Sequence, residues 1–363
     1  MKSNAALAEV CRSARAVART VAFCLKVLPM LPSQPIDWAT KRPVVERVTY
    51  PTDRGPVEGD LYRAPGTERI PGIVVCLGVV PFGVDHPQVA RLGEALARAG
   101  FAALLYWSPA MRDLRLDAGD AVNFARAYGW LVEQPYIDPA RSGLLGTCVG
   151  GAFALIAASD PLIRDRVVFV AAFAPYSSMW TFARDIASAT RMDGDARVPW
   201  QVDQLTRNVF IRSVTDGLTP DEQARVRAAV EDPTQALAPD GLSGDGAAVY
   251  RLLTAGDFDE TVLALEALPA ALRQRLDALS PLPAATEITA PMIVFAHDRS
   301  DLVIPVSQSR QLQRALTGRA GVHYTEFDLF QHATPRSLPV FRLARELVRF
   351  FRYTYPLFRV SVG

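Results

Sequence analysis

The sequence predicts an α/β protein, a mostly parallel sheet covered by helices on both faces. Three observations predict it. Short apolar runs alternate with longer amphipathic stretches, as in Ile73–Leu77, His86–Ala99 and Phe101–Tyr106. The runs are apolar throughout, which is the pattern of strands buried on both faces. The rhythm stops once, between Ser177 and Ala285, and then resumes. One α/β unit with a helical insertion accounts for all three.

A chain of 363 residues that is 50% hydrophobic and 21% charged can bury a large core, which excludes wholesale disorder. A net charge of +1 argues against a nucleic-acid-binding body. The four cysteines, at 11, 24, 76 and 148, show no C-x-x-C spacing. Neither a disulfide scaffold nor a structural zinc site is expected.

The elements follow in chain order. Residues 1–47 hold eight basic and three acidic side chains. Leu7, Val10, Ala14, Val17, Val21, Leu25 and Leu28 recur every three or four residues, which makes one stripe of an amphipathic helix. Arg12, Arg15, Arg19 and Lys26 lie largely off that stripe. Docking of the helix on its own domain is the preferred reading. Peripheral contact of residues 5–28 with an anionic membrane is the alternative. The run Val21–Pro32 is interrupted by Lys26 and Pro29 and falls short of the roughly 20 apolar residues that span a bilayer. No secretory pattern stands out, so a cytoplasmic location is expected. Oligomeric state is left open.

After Pro51, Val57–Arg63, Ile73–Leu77 and Phe101–Tyr106 read as strands, and His86–Ala99 as a helix stopped by Gly100. Asp117–Glu133 is a helix, Ser142–Leu145 a strand, Cys148–Ser159 a helix and Val167–Ala174 a strand. Between Ser177 and Ala285 only helices are expected. Thr219-Pro220-Asp221-Glu222 starts one, Leu237–Gly246 is a loop, and Pro269 divides Val262–Leu279. The rhythm resumes at Met292–Ala296, Arg310–Leu316 and Val322–Phe327, and a last helix packs Phe350 and Phe351 on the core. The expected organisation is an N-terminal helical segment (1–47), an α/β core (48–176 and 286–363) and a helical cap (177–285).

The strongest chemical signal is Gly146-Thr147-Cys148-Val149-Gly150-Gly151, between a strand and a helix. It is a G-x-S-x-G elbow with Cys in the Ser position. Such a turn exposes its nucleophile near a helix N-terminus, which favours a thiolate. Past the strand Met292–Ala296, Asp301 stands four residues before Pro305 and is the candidate acid, with Asp298 in reserve. After the strand Val322–Phe327, His332 is the candidate base. Of the other histidines, His86 is first a helix cap, His323 is structural, and His297 is either a neighbour of Asp301 or a turn residue.

These residues and their order resemble the α/β-hydrolase superfamily, and most of all its dienelactone hydrolase family, which carries a Cys nucleophile in a G-x-C-x-G-G elbow. The likeness spans Ile73–Arg112, Ala118–Pro175 and Ala290–Pro335, including Phe82-Gly83-Val84. It implies a nucleophile–acid–base set of Cys148, Asp301 and His332, and no metal or organic cofactor. The oxyanion donors would be the N–H of Val149 and one in the loop after Ile73–Leu77. Pro81 has no N–H, which leaves Val79, with Val80 in reserve. The family places a Glu in that loop, whereas Leu77-Gly78-Val79-Val80-Pro81 contains no acid and Asp85 lies later. The insertion is also foreign to the family's compact members.

The expected function is hydrolysis of a small ester, lactone or thioester through an acyl-enzyme. A thioesterase or acyltransferase with a long acyl pocket is the second reading. A membrane-associated binding protein with an inert Cys148 is the third.

Overall fold

The apolar runs become the middle of an eight-stranded sheet in a computed structural model, which describes residues 2–28, 30–66, 68–232, 234, 237–238, 241–332 and 334–362. Helices α1 (Lys2–Val27) and α2 (Gln34–Ala39) precede a hairpin of β1 (Val44–Thr52) and β2 (Gly55–Arg63). Then come β3 (Ile70–Cys76), α3 (Pro87–Arg98), β4 (Ala102–Tyr106), α4 (Pro109–Arg112), α5 (Gly119–Val132), β5 (Ile137–Thr147), α6 (Val149–Ala158) and β6 (Phe169–Phe173). A long excursion follows: α7 (Met179–Ala187), β7 (Thr190–Asp193), β8 (Ala196–Pro199), α8 (Gln204–Thr215), α9 (Pro220–Glu231), α10 (Gly244–Thr254), α11 (Phe258–Glu266), α12 (Ala270–Ala278) and α13 (Pro281–Glu287). The chain returns with β9 (Met292–Asp298), α14 (Val306–Ala315), β10 (Val322–Phe327), the short strands β11 (Phe330–Gln331) and β12 (Thr334–Pro335), and α15 (Val340–Ser361).

The sheet order is β1-β2-β4-β3-β5-β6-β9-β10. It is antiparallel where β2 meets β1 and β4, and parallel beyond. Alternate residues of one strand serve opposite cores. Ile73 and Val75 of β3 share a core with Leu96 of α3, Phe358 of α15 and Phe23 of α1. Val74 and Cys76 share the other with Phe124 of α5 and Phe153 of α6. Both faces are covered, which is why the runs carry no polar alternation.

Some strands have no apolar run to announce them. β1 is an edge strand with half-exposed charged residues and Pro51, which an edge tolerates. The second case corrects the expectation of no strand between Ser177 and Ala285. Thr190–Asp193 pairs with Ala196–Pro199 around Gly194, at φ 60°. Its residues are mostly polar, so periodicity is silent, and the Asp193-Gly194 dipeptide is the only local clue. The helix signals hold elsewhere. Thr219 caps α9 by accepting from the Glu222 N–H at 3.3 Å, and Pro269 caps α12.

Helix α1 packs on α15 and α3, with Ala16, Thr20 and Phe23 buried, as is Leu28 just past its end. The Phe23 ring lies 5.2 Å from that of Phe358. Arg19 donates to the Ser361 carbonyl at 3.0 Å, and Lys26 pairs with Asp37 at 2.8 Å and Glu94 at 3.0 Å. The aliphatic stripe therefore points largely outward, with Leu7 65% and Val10 64% exposed. The docking face uses a small residue, an aromatic one and two long basic side chains whose stems are buried. Among the described residues no helix is long and apolar enough to cross a membrane. In α15, Phe350 is buried and Phe351 stacks on Tyr355 at 5.7 Å.

Candidate active site

Cys148 stands between β5 and α6 as the N-cap of the helix, at φ 57° and ψ −133°. A side chain in that region costs on the order of 1–3 kcal/mol. The turn is held by the Cys148 N–H donating to the Phe173 carbonyl at 2.8 Å and by Gly151 N–H donating to the Cys148 carbonyl at 2.9 Å. A Cβ on Gly150 would strike the Cys76 carbonyl, and one on Gly146 the Gly150 carbonyl. Glycines at these positions let the elbow close against the end of β3.

His332 opens the turn between β11 and β12, at φ 60°. Its Nδ1 lies 3.1 Å from Asp301 Oδ2. Asp301 is buried, and its other oxygen accepts from the N–H groups of Val303 at 2.7 Å and Ile304 at 3.0 Å. Burial opposes its ionisation, but His332 and these donors outweigh that and hold its pKa below the ordinary value. Burial likewise opposes a charge on His332. The charge of the facing Cys148 sulfur and hydrogen bonds with Asp301 and Cys148 outweigh it, and the imidazole pKa rises well above the ordinary value. The structure thus brings Cys148, His332 and Asp301 together.

Asp298, the reserve acid, does something else. Its Oδ2 accepts from the N–H groups of Leu329 and Phe330, both at 2.7 Å, and Oδ1 from Ser300 at 2.9 Å. It ties the end of β9 to the segment that carries His332. Burial, opposed by these donors, pushes its carboxyl up to about 6. His297 sits behind Asp301, with Nε2 3.8 Å from Oδ2. Its ring also meets Ser309 at 2.7 Å and the Ile304 carbonyl at 2.9 Å. Burial depresses its pKa, and since a carbonyl only accepts, Nε2–H donates to Ile304. His86 caps α3 by accepting from the Gln88 N–H at 3.3 Å, and His323 is exposed on β10. The Asp85 side chain is 91% exposed, 3.8 Å from Arg47, and does not line the Cys148 cavity.

The elbow opens on a cavity of about 120 Å³ between the sheet edge and the excursion. Cys148, Val149, Val79 and His332 line its floor, and Phe182, Phe210, Leu252 and Leu276 its walls. Among the described residues, neither Val149 N–H nor Val79 N–H donates to a backbone carbonyl, and the former is one of the orphan donors at a helix start. Val80 lies in a separate cleft with Tyr106 and Ser108. The excursion is pinned over the site. Trp200 Nε1–H donates to the Leu302 carbonyl, beside Asp301, at 3.1 Å. The Leu116 N–H donates to Ser213 at 2.9 Å, and Arg115 pairs with Asp216 at 3.0 Å. Among the described residues no group of His, Cys, Asp and Glu is placed to hold a metal ion. Sequence reasoning offered Leu252 as part of an apolar tunnel, and it missed the loop-anchoring role of Asp298 and the walls formed by Phe182, Phe210 and Leu276, because these depend on contacts across the fold.

No family model and no curated protein matches this chain. Solved structures do. An acylaminoacyl peptidase of Pyrococcus horikoshii superposes with a TM-score of 0.55 at 16% identity, over 88% of this chain and 43% of that one. A 2,6-dihydroxy-pseudo-oxynicotine hydrolase gives 0.51 at 15%, over 88% of this chain and 69% of that one. A puromycin-hydrolyzing peptidase of Mycobacterium tuberculosis gives 0.53 at 18%, over 89% and 39%. This chain spans less than half the length of the two peptidases. At such identities the likeness concerns architecture, and with the sheet order and the elbow it leads to one conclusion: the chain has the α/β-hydrolase fold.

Proposed function

We propose that the protein is a hydrolase acting on ester, lactone or thioester bonds through an acyl-enzyme on Cys148, with the segment between β6 and β9 serving as a cap. One observation carries the reading. Cys148, His332 and Asp301 form a single line that opens on an apolar cavity.

His332, whose pKa is raised, takes the proton of the Cys148 thiol, and the reaction starts from the resulting ion pair. The Cys148 sulfur attacks the carbonyl carbon and forms a C–S bond. The N–H groups of Val149 and Val79 receive the oxyanion. The bond to the leaving group then breaks, and His332 hands its proton to the departing oxygen or sulfur. Water attacks next and gives a proton to His332. The C–S bond breaks, the acid leaves and the pair is restored. A positioned base contributes about 10²–10⁴-fold and an oxyanion donor about 10²–10³-fold. The acid that the dienelactone hydrolases place after the third strand has no counterpart at this site. Here His332 and the N-terminus of α6 support the thiolate instead. A thiolate is itself a good leaving group, which favours activated acyl groups over amides.

The cavity volume of about 120 Å³ is below the ~150 Å³ that admits benzene. Short acyl groups fit it better than the long chain of a thioesterase. The test is a panel of p-nitrophenyl esters from short to long acyl chains. Two structural neighbours are named as peptidases, so an acylamino-acid anilide belongs in the panel. We expect turnover of the short esters, lowered by about 10³-fold or more in Cys148→Ala. Turnover that survives the substitution, or none on any member, would overturn the reading.

The outward stripe of α1 supports a second role. Leu7, Val10, Val17 and Val21 form an exposed apolar row, with Arg15 exposed beside it. We propose that this row rests on an anionic membrane surface.

A further inference from the structure

A second cavity, of about 230 Å³, lies on the opposite face of the sheet, under α1, α3 and α15. It exceeds the ~150 Å³ that takes up benzene, and its lining is mostly apolar. Interiors are close-packed, and a void deprives its lining of dispersion contacts. A cavity this large beside a reactive group is therefore a feature to explain.

Its position supplies the explanation. Leu145 and Thr147 of β5 line it, as do Ala171 and Phe173 of β6. The strands pair Leu145 with Ala171 and Thr147 with Phe173. The cavity thus runs from the level of the elbow down two residues of strand, roughly 6–7 Å. His332, Phe23 and Leu357 also line it. Gln88 and Arg91, exposed on the first turns of α3, give it a polar side towards solvent.

His332 lines both cavities, whereas Cys148, Val149 and Val79 line only the one under the cap. The carbonyl and its oxyanion donors belong to the cap side. The part of an acyl substrate that must meet the base, and not those donors, is the leaving group. We propose that the second cavity receives an apolar alcohol or thiol, the leaving half of the substrate, while the cap cavity holds a short acyl group. The inference rests on the acyl-transfer reading and deepens it. When the C–O or C–S bond to the acyl carbon breaks, the freed oxygen or sulfur takes the proton from His332. Its chain already lies against Phe173 and Ala171.

The test is a series of alkyl esters with one short acyl group: ethyl, butyl, hexyl and octyl butanoate. In the wild type, kcat/KM is expected to rise at least about tenfold from ethyl to octyl, since each methylene enters an apolar site. Ala171→Leu fills the lower end and should cut the octyl-to-ethyl ratio about tenfold. Leu357→Ala enlarges it and should raise that ratio. A ratio does not depend on the fraction of folded enzyme. If Ala171→Leu does not fold, the wild-type series and Leu357→Ala still decide. A flat wild-type profile, or a ratio that no folded variant moves, would overturn this inference even where turnover depends on Cys148. Turnover independent of Cys148 would instead overturn the acyl-transfer reading beneath it.

Discussion

Asp298 and Asp301 stand three residues apart, and their partners separate their tasks. Asp301 meets His332, while Asp298 meets only the backbone and anchors the segment that carries it. Asp301→Asn should lower kcat/KM by about 10²–10⁴-fold, because the amide no longer stabilises the imidazolium. Asp298→Asn keeps an acceptor oxygen for Leu329 and Phe330 and should stay within a few-fold. Asp298→Ala leaves the N–H groups of Ser300, Leu329 and Phe330 without this acceptor and should cost about 1–3 kcal/mol or more in urea unfolding. Equal losses in the two Asn variants would refute this division of labour. The pair Cys148–His332 sets the pH response. The folded pKa of His332 is raised, so the stability it contributes is complete below its ordinary value of about 6.5 and is lost as pH rises through the raised one. Activity should accordingly persist above pH 6.5 and fall only further up. A pH–rate profile on an activated ester checks this, and a fall that sets in at pH 6.5 would refute it.

At the scale of elements, α1 combines a hidden basic-aromatic face with an outward aliphatic row. Its periodicity is legible in the sequence; which face docks is not. Ala16 and Phe23 fit α15 and α3, and Arg19 and Lys26 find acceptors there. Leu7 and Val10 extend beyond that contact. If the row meets lipid, the full chain should co-sediment with anionic vesicles more than a chain starting at Pro35. Equal sedimentation would remove the membrane proposal. The hairpin β11–β12 is an element of the other kind. It is too short to show a pattern, and its place follows from Asp298 and from the Leu329 carbonyl accepting from Arg336 at 2.9 Å.

Across the whole molecule, the insertion and the sheet share one core. Phe153 and Val170 of the α/β part and Phe210 and Leu252 of the excursion belong to the same buried cluster. The expected outcome is a single cooperative unfolding transition. Near-UV circular dichroism and fluorescence from Trp200 in the excursion and Trp107 in the α/β part should report the same midpoint. Separate midpoints would mean that the excursion is an independent unit.

The sequence by itself determined the α/β class, the strand–helix rhythm, the Cys148 elbow and the order Cys148, Asp301, His332. These are local properties: apolar runs, glycines at a tight turn and the positions of residues just past strands. Tertiary structure alone decided which carboxylate meets His332, because Asp298 and Asp301 differ in the partners that distant loops present to them. It also decided that Val79 faces the cavity and Val80 does not, that the aliphatic row of α1 points outward, and that His332 stands between two cavities. Those outcomes depend on the fit between segments hundreds of residues apart, such as Arg19 and Ser361, and periodicity carries no information about such fits.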